Sequence, residues 1–141
     1  MKGTIVCDSS VIVKWISSQD ELRLEQANKI LNDAKDNKVQ LFVPELAKYE
    51  VGNALLLRKK IPAKNIKISL TTLYSLPVKF VSESYSQAEE TYEIGEKAKI
   101  TYYDACFISL AKSLNATLVT DNPKHQARVK DVKVVALVNY K

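Results

Sequence analysis

Apolar and polar residues alternate along the chain in a pattern that predicts strands and helices in turn. A short β-branched run that ends at Cys7 predicts a buried strand, and the residues after Asp8 are typical of the first turns of a helix. Apolar positions spaced by three, four and five residues predict an amphipathic helix between Gln19 and Lys35. The later pattern predicts strands at 39–43, 78–81, 117–120 and 132–138, and helices at 45–60, 63–76, 84–98, 101–114 and 123–129.

This alternation predicts a single α/β domain over residues 1–141, with a mostly parallel central sheet flanked by helices on both faces. A hydrophobic content of 46% and a charged content of 26% are typical of a globular protein, so the chain is expected to bury a substantial core. We find no repeat, linker or low-complexity tract that would divide it.

The sequence also predicts a cytoplasmic location without a membrane partner. No apolar run approaches the roughly 20 residues that a membrane helix needs. The N-terminal residues lack the apolar region and the cleavage site of a signal peptide. Cys7 and Cys106 both lie in apolar segments, which favours reduced core residues over a disulfide or a metal pair. His125 is the one histidine, which argues against a zinc site built from histidines.

Acidic residues stand at several junctions between predicted elements. Asp8 and Asp121 each follow a predicted strand, and the carboxyl edge of a parallel sheet is where α/β proteins bind ligands. Asp104 opens the predicted helix 101–114, and Glu50 lies about a turn and a half into the predicted helix 45–60. We therefore expect the four carboxylates to meet at one rim of the sheet.

Each of these acids also has a structural interpretation. Asp8 could serve only as an N-cap, and Asp121 could be a turn residue before a proline. Thr101 and Asp104 have the spacing of an acidic capping box. Glu50 could occupy the solvated edge of an amphipathic helix.

Carboxylates that converge on one rim repel each other, and a divalent cation relieves that repulsion. A pair about 4 Å apart costs roughly 4 kcal/mol at an effective dielectric constant near 20. Donor sets made only of oxygen select Mg²⁺ or Mn²⁺ over zinc, and such sites hydrolyse phosphodiester bonds. The formal net charge of +5 is compatible with a nucleic-acid substrate.

Four segments, in this order along the chain, together resemble a PIN domain and, more narrowly, the VapC-type toxin ribonucleases. They are VCDSSV at 6–11, PELAKYEVGNAL at 44–55, TYYDA at 101–105 and ATLVTD at 116–121. The resemblance implies a divalent-metal-dependent endoribonuclease that hydrolyses RNA phosphodiester bonds as the toxin of a VapBC-type toxin–antitoxin system. It implies Mg²⁺ or Mn²⁺ as the cofactor.

The resemblance also assigns roles to residues of this chain. The catalytic and metal-binding acids correspond to Asp8, Glu50, Asp104 and Asp121. Three further residues would support those acids and their waters: Ser10, Asn53 and Thr101. The expected partners are an RNA substrate, a small antitoxin protein and a second copy of the chain.

The chain departs from the family pattern at the fourth acid. The family usually has one residue between the threonine and this acid, whereas here Asp121 follows Thr120 directly and Asn122 occupies the usual acid position. Either Asp121 turns into the site, or Asn122 supplies a neutral ligand or a contact to water. Lys14, in the apolar start of the first helix, is another residue that could reach the site.

Two other classes of protein compete with the nuclease interpretation. A catalytically degenerate PIN domain would act as a binding or scaffold module. A phosphatase or receiver domain of similar fold would need a second acid near Asp8, but position 10 is Ser10.

A surface for a second chain is predicted around residues 54–76. Apolar residues there spread over more than one helix face: Leu56, Ile66, Ile68, Leu70 and Leu73.

Overall fold

A five-stranded parallel sheet forms the centre of the computed structural model, which describes residues 3–141. Its strands are β1 (Gly3–Cys7), β2 (Val39–Pro44), β3 (Val78–Val81), β4 (Thr117–Thr120) and β5 (Val134–Ala136). They lie in the order β3-β2-β1-β4-β5, and each neighbouring pair is parallel. Parallel neighbours require crossover connections, so the helices must cover the faces of the sheet.

Two groups of α-helices cover the two faces. The helices are α1 (Ser9–Ile16), α2 (Leu24–Lys35), α3 (Leu46–Asn53), α4 (Ala63–Tyr74), α5 (Tyr85–Ala98) and α6 (Tyr102–Ser113). The chain adds β2 and β3 on one side of β1, and β4 and β5 on the other. Because crossovers are right-handed, α1 to α4 lie on one face and α5 and α6 on the opposite face. The predicted fold class is confirmed.

Helix α6 packs against the middle of the sheet and is buried on nearly all sides. Every residue from 105 to 111 is at most 6% exposed, and the helix contacts β1, β2 and β4. A helix that is apolar all round belongs in the core. The buried stretch begins directly after Asp104, which places that acid at the boundary between the core and the rim of the sheet.

Two predicted helices differ from the observed ones. The helix predicted at 19–35 begins only at Leu24, because Arg23 has a left-handed backbone with φ of 56°. The helix predicted at 45–60 is α3 followed by a π-helical turn at Ala54–Arg58. The wider turn buries Leu55 and directs Arg58 toward Glu21.

The last predicted elements are shorter than expected. The helix predicted at 123–129 is a single 3₁₀ turn at Gln126–Arg128. The strand predicted at 132–138 is limited to β5, and a 3₁₀ turn at Leu137–Asn139 follows it. Leu137 is fully buried, so the chain bends there to place this side chain in the core.

The interpretation of the cysteines as core residues is confirmed, since Cys7 and Cys106 are both free thiols and both buried. Among residues 3–141, none of the helices is long and apolar enough to span a bilayer.

Candidate active site

Asp8 lies at the point where the strand order reverses direction. It is the N-cap of α1 directly after β1, and its backbone N–H donates to the carbonyl of Val119 in β4 (3.2 Å). The chain builds the sheet outward from β1 in both directions, so the crevice between the ends of β1 and β4 is a topological switch point. Asp8 therefore stands where open parallel sheets bind ligands.

The carboxylate of Asp8 is oriented by hydrogen bonds to both of its oxygens. Oδ1 accepts from the backbone N–H of Ser10 (3.1 Å) and from the Ser10 hydroxyl. Oδ2 accepts from the hydroxyl of Thr120, at the end of β4. Ser10 also accepts a hydrogen bond from the backbone N–H of Asp121 (3.0 Å), so it ties the ends of the two strands together.

Glu50 and Asp104 reach the site from helices on opposite faces of the sheet. Glu50 projects from α3, and its Oε1 accepts from the hydroxyl of Ser9 (2.7 Å). Asp104 lies in the first turn of α6, where its backbone N–H donates to Oγ1 of the N-cap Thr101 (3.0 Å). Thr101 thus supports Asp104 by starting the helix that carries it.

The acids influence each other electrostatically. Burial raises the pKa of Asp8 to about 6, and the charge of Glu50 contributes in the same direction, although the hydrogen bonds from Ser10 and Thr120 oppose it. Burial also raises the pKa of Glu50, and the charge of Asp104 adds to that shift. Burial, reinforced by the neighbouring charges, therefore disfavours ionisation of Asp8 and Glu50.

The three acids line a single cleft of about 220 Å³. Hydroxyl, amide, aromatic and imidazole side chains complete its wall: Asp8, Ser9, Ser10, Glu50, Asp104, Phe107, Asn122, His125 and Gln126. Asn53, predicted as a supporting residue, is exposed at the end of α3 and does not line this cleft.

Asp121 is placed differently from the other three acids. Its carboxylate forms ion pairs with Lys14 (3.0 Å) and with Arg23, and it is absent from the cleft wall. Burial alone would raise the pKa of Asp121, but the bonds from Arg23 and Lys14 lower it overall. Of the two residues considered for the fourth position, the structure brings Asn122 into the cleft and holds the Asp121 side chain in a charge cluster.

This charge cluster fastens the loop at 17–23 to the rim of the site. Lys14 is only 4% exposed, and its Nζ donates to Glu21 (3.0 Å) and to the carbonyl of Leu22 (2.7 Å), beside its ion pair with Asp121. Glu21 also binds Arg58 and Lys59, both at 2.7 Å. Lys14 therefore touches the site through Asp121 and does not line the cleft.

Several residues around the cleft had no assigned role from sequence. In the sequence, Ser9 and Thr120 are simply hydroxyl residues next to acids. No motif or spacing marks Gln126 as a functional residue. The pair between Arg23 and Asp121 spans 98 positions, and no local pattern indicates a contact of that range.

The carboxylate oxygens of the cleft are suitable ligands for a hard cation that takes only some of its ligands from the protein. Across residues 3–141, no three Asp, Glu, His or Cys side chains form a closed metal cluster. Mg²⁺ commonly uses one or two carboxylates and completes its shell with water and substrate phosphate oxygens. Asp8, Glu50 and Asp104 could hold an ion in that open manner.

The acidic cleft lies at the switch point of a parallel sheet, where proteins of this architecture bind ligands. Comparison with known families shows to which family the chain belongs. A family model described as PIN domain matches residues 5–132, so the chain belongs to the PIN domain family. No curated protein sequence matches it significantly.

Solved structures with the same fold have low sequence identity to this chain. A chain of VapBC2 from Rickettsia felis, solved with a DNA fragment from its promoter, has a TM-score of 0.73 and 17% identity, covering 94% of this chain and 98% of that one. PAE2754 from Pyrobaculum aerophilum has a TM-score of 0.68 and 19% identity, with coverage of 98% and 93%. VapC20 from Mycobacterium tuberculosis, a toxin that cleaves the sarcin-ricin loop, has a TM-score of 0.65 and 12% identity, with coverage of 87% and 93%.

The charge cluster predicts a specific dependence of stability on pH. Although burial alone would raise it, the pKa of Glu21 is lowered from 4.5 to about 2 by Lys59, Arg58 and Lys14. A lowered pKa stabilises the fold above about pH 4.5, and this contribution is lost as the pH falls toward 2. We expect Glu21→Gln to reduce the free energy of unfolding at pH 7 by about 2–3 kcal/mol.

Urea denaturation of wild type and variant between pH 7 and pH 3 measures this difference, which should shrink below pH 4.5. Glu89→Gln, at an exposed acid of α5, is the matched control and should have little effect. A Glu21→Gln effect that stays constant over the whole pH range would contradict the role given to the ionised carboxylate.

Proposed function

We propose that this chain is a divalent-metal-dependent endoribonuclease of the VapC type, acting as the toxin of a toxin–antitoxin pair. The observation that carries the proposal is the cleft at the switch point, where Asp8, Glu50 and Asp104 meet from one strand end and two helices. Membership of the PIN domain family supports it. Solved structures of the same fold include VapBC complexes and a toxin that cleaves the sarcin-ricin loop.

The charges of the cleft support the need for a cation. Three carboxylates would repel an RNA phosphate. Burial is the main cause of the raised pKa values of Asp8 and Glu50, and the charge of a neighbouring carboxylate adds to each shift. Asp8, Asp104 and Glu50 are the residues that would hold Mg²⁺ or Mn²⁺. When bound, such an ion lowers the pKa of water and stabilises the leaving oxygen of a phosphodiester.

The protein's own part in the reaction is to orient these groups. Ser10 and Thr120 bind opposite oxygens of Asp8 and prevent rotation of its carboxylate. The hydroxyl of Ser9 donates to one oxygen of Glu50, and Thr101, as the N-cap of α6, fixes the first turn of that helix at Asp104. Such partners usually change metal affinity or activity by about 10–100-fold when removed.

Exposed basic side chains are suited to the flanking phosphates of RNA. Lys124 is exposed between Asn122 and His125, two residues of the cleft wall. Lys64 and Lys67 are exposed on α4. Lysine and arginine contacts to phosphate supply most of the sequence-independent affinity for nucleic acid.

A catalytically inactive binding module is the second candidate. Two observations favour it: Asp121 is neutralised by Lys14 and Arg23, and residues 3–141 contain no closed cluster of three ligands. The two candidates differ in metal binding and cleavage, which the experiments below measure.

The exposed apolar side chains of the π-helical turn and α4 are our proposed contact with a second copy or an antitoxin. Leu56 and Ile68 are 70% and 73% exposed, and Leu70 is 39% exposed. The set of surface residues predicted from the sequence was too broad. Leu73 is 1% exposed and belongs to the core, and Ile66 is partly buried against the core.

The nuclease proposal predicts cleavage of a mixed structured RNA with Mg²⁺ or Mn²⁺ and none with EDTA. Asp8→Asn and Asp104→Asn should each slow cleavage by at least about 100-fold, because a lost ligand costs more than a lost supporting contact. Gel-resolved cleavage by purified protein measures the rates. Binding of Mn²⁺ should also raise the free energy of unfolding by about 2.7 kcal/mol at a hundredfold excess over Kd.

Asp36→Asn, at an exposed acid at the end of α2 that does not line the cleft, is the control and should cleave like wild type. Metal binding without cleavage would indicate a narrow RNA substrate. Absence of both metal binding and cleavage would favour the binding module.

Because Asn122 lines the cleft, we expect that replacing it with aspartate increases the affinity of the cleft for metal. Asn122→Asp should add a fourth carboxylate to the cleft, so it should bind Mn²⁺ several-fold more tightly and be less stable in EDTA. Each added kcal/mol of repulsion should lower the Tm by about 2–4 °C in a domain of this size. Calorimetric titration and thermal unfolding with and without Mn²⁺ measure both effects.

The matched control is Asp121→Asn, which removes the partner of Lys14 and Arg23 but changes no residue of the cleft wall. It should lower the Tm equally with and without Mn²⁺. If Asp121→Asn instead abolished metal binding while Asn122→Asp had no effect, the assignment of the two positions would be reversed.

The exposed apolar surface predicts a dimer at micromolar concentration. Leu56→Glu with Ile68→Glu should convert it to a monomer without lowering the Tm by more than about 2–4 °C, because both side chains are exposed. Size-exclusion chromatography with light scattering measures the mass. Tyr92→Glu, at an exposed aromatic residue of α5 on the opposite face, should stay dimeric. A monomeric wild type would refute the contact with a second copy.

A further inference from the structure

Gln126 is a buried polar residue in the wall of the acidic cleft. It is 2% exposed and begins the 3₁₀ turn that contacts α6. Within residues 3–141, neither its Oε1 nor its Nε2 has a hydrogen-bond partner. Its backbone carbonyl accepts from the N–H of Val129 (3.2 Å), so that carbonyl has a partner and the side-chain amide does not.

Packing does not explain an amide at this position. Buried polar groups are nearly always hydrogen-bonded, and burying one without partners is unfavourable. A leucine of similar size would fill the same space without that penalty. The side chain therefore carries a donor and an acceptor that the folded protein does not use.

The chemistry of the amide restricts what could satisfy it. Asp8, Glu50 and Asp104 present only acceptors when ionised, and so does an RNA phosphate, so none of them pairs with both Nε2 and Oε1. A nucleobase edge presents an acceptor beside a donor. Glutamine forms this two-point contact with N7 and the N6 amino group of adenine.

We propose that Gln126 is a specificity-determining residue that recognises an adenine beside the scissile phosphate; this rests on the proposed ribonuclease function. The amide loses no hydrogen bond when the side chain rotates toward the cleft, so presenting it to a substrate is inexpensive. The neighbouring wall residues Asn122 and His125 are exposed. The imidazole ring of His125 is suited to stack on an unpaired base, as aromatic rings do in single-stranded RNA recognition.

Binding of short RNAs tests the proposal without cleavage. Fluorescence anisotropy in Mg²⁺ compares Asp104→Asn with the double variant Asp104→Asn/Gln126→Leu, using four labelled pentaribonucleotides UUNUU that differ in the central base. The first protein should bind the adenine oligonucleotide about tenfold more tightly than the other three. The double variant should bind all four within about twofold, with unchanged affinity for UUUUU.

A matched control separates recognition from a general effect of losing an amide. Asp104→Asn/Gln26→Leu changes a glutamine of α2 that lines a different cavity, and it should keep the tenfold preference. Equal affinity for the four oligonucleotides in the Asp104→Asn protein, preference for another base, or no binding would each overturn the inference.

Thermal unfolding distinguishes a role of Gln126 in recognition from a purely structural role. Gln126→Leu in the otherwise native chain should keep or raise the Tm, because it removes an unpaired buried amide. A lower Tm with an unchanged base preference would show that the residue serves the fold and would overturn the proposal. If the leucine variant fails to fold, Gln126→Glu retains the shape but lacks the N–H donor, and it should lose the adenine preference.

Failure of this inference is distinguishable from failure of the proposed function. Mapping of cut sites in a mixed RNA should place adenine beside the wild-type cuts, with that preference lost in Gln126→Leu. Wild-type cleavage with identical cut sites in the variant would overturn only the role of Gln126. A wild type that binds UUAUU selectively but never cleaves would overturn the nuclease and keep the recognition.

Discussion

The orientation of the Asp8 carboxylate between two strand ends is the contact on which the site depends. Ser10 holds one oxygen and Thr120 the other, and Ser10 also binds the backbone of Asp121. These bonds join the ends of β1 and β4, the two strands that flank the switch point. They also lower the cost of a buried charge that repels Glu50. The acidic cleft thus gains its rigidity from the sheet itself.

Asp121 and Asn122 are adjacent in the chain but have different surroundings. The carboxylate of Asp121 belongs to a cluster of ion pairs, whereas Asn122 lines the acidic cleft. Asp121 is satisfied by Lys14 and Arg23, and the same cluster includes Glu21, which fastens the loop at 17–23. Buried ion pairs are tolerated when each charge has partners, and this cluster meets that condition. The cleft consequently keeps three carboxylates beside the amide of Asn122.

Much of the fold could be predicted from the sequence, since hydrophobic periodicity reports directly which side of an element is buried. Asp8 and Asp104 could be placed because each directly borders such an element. The limits of several elements could not be predicted, because they depend on distant contacts. The π-helical turn buries Leu55 and turns Arg58 toward Glu21, and the chain bends after β5 to bury Leu137.

By itself, the sequence determined the α/β class, the order of the elements and the acids that border them, because these follow from local patterns of a few residues. Only the tertiary structure decided which side chains face the cleft. The choice between Asp121 and Asn122 depends on Arg23, 98 positions away, and on Lys14. The unsatisfied amide of Gln126 is likewise invisible in the sequence, because a missing hydrogen bond becomes apparent only when all neighbours of a buried group are in place.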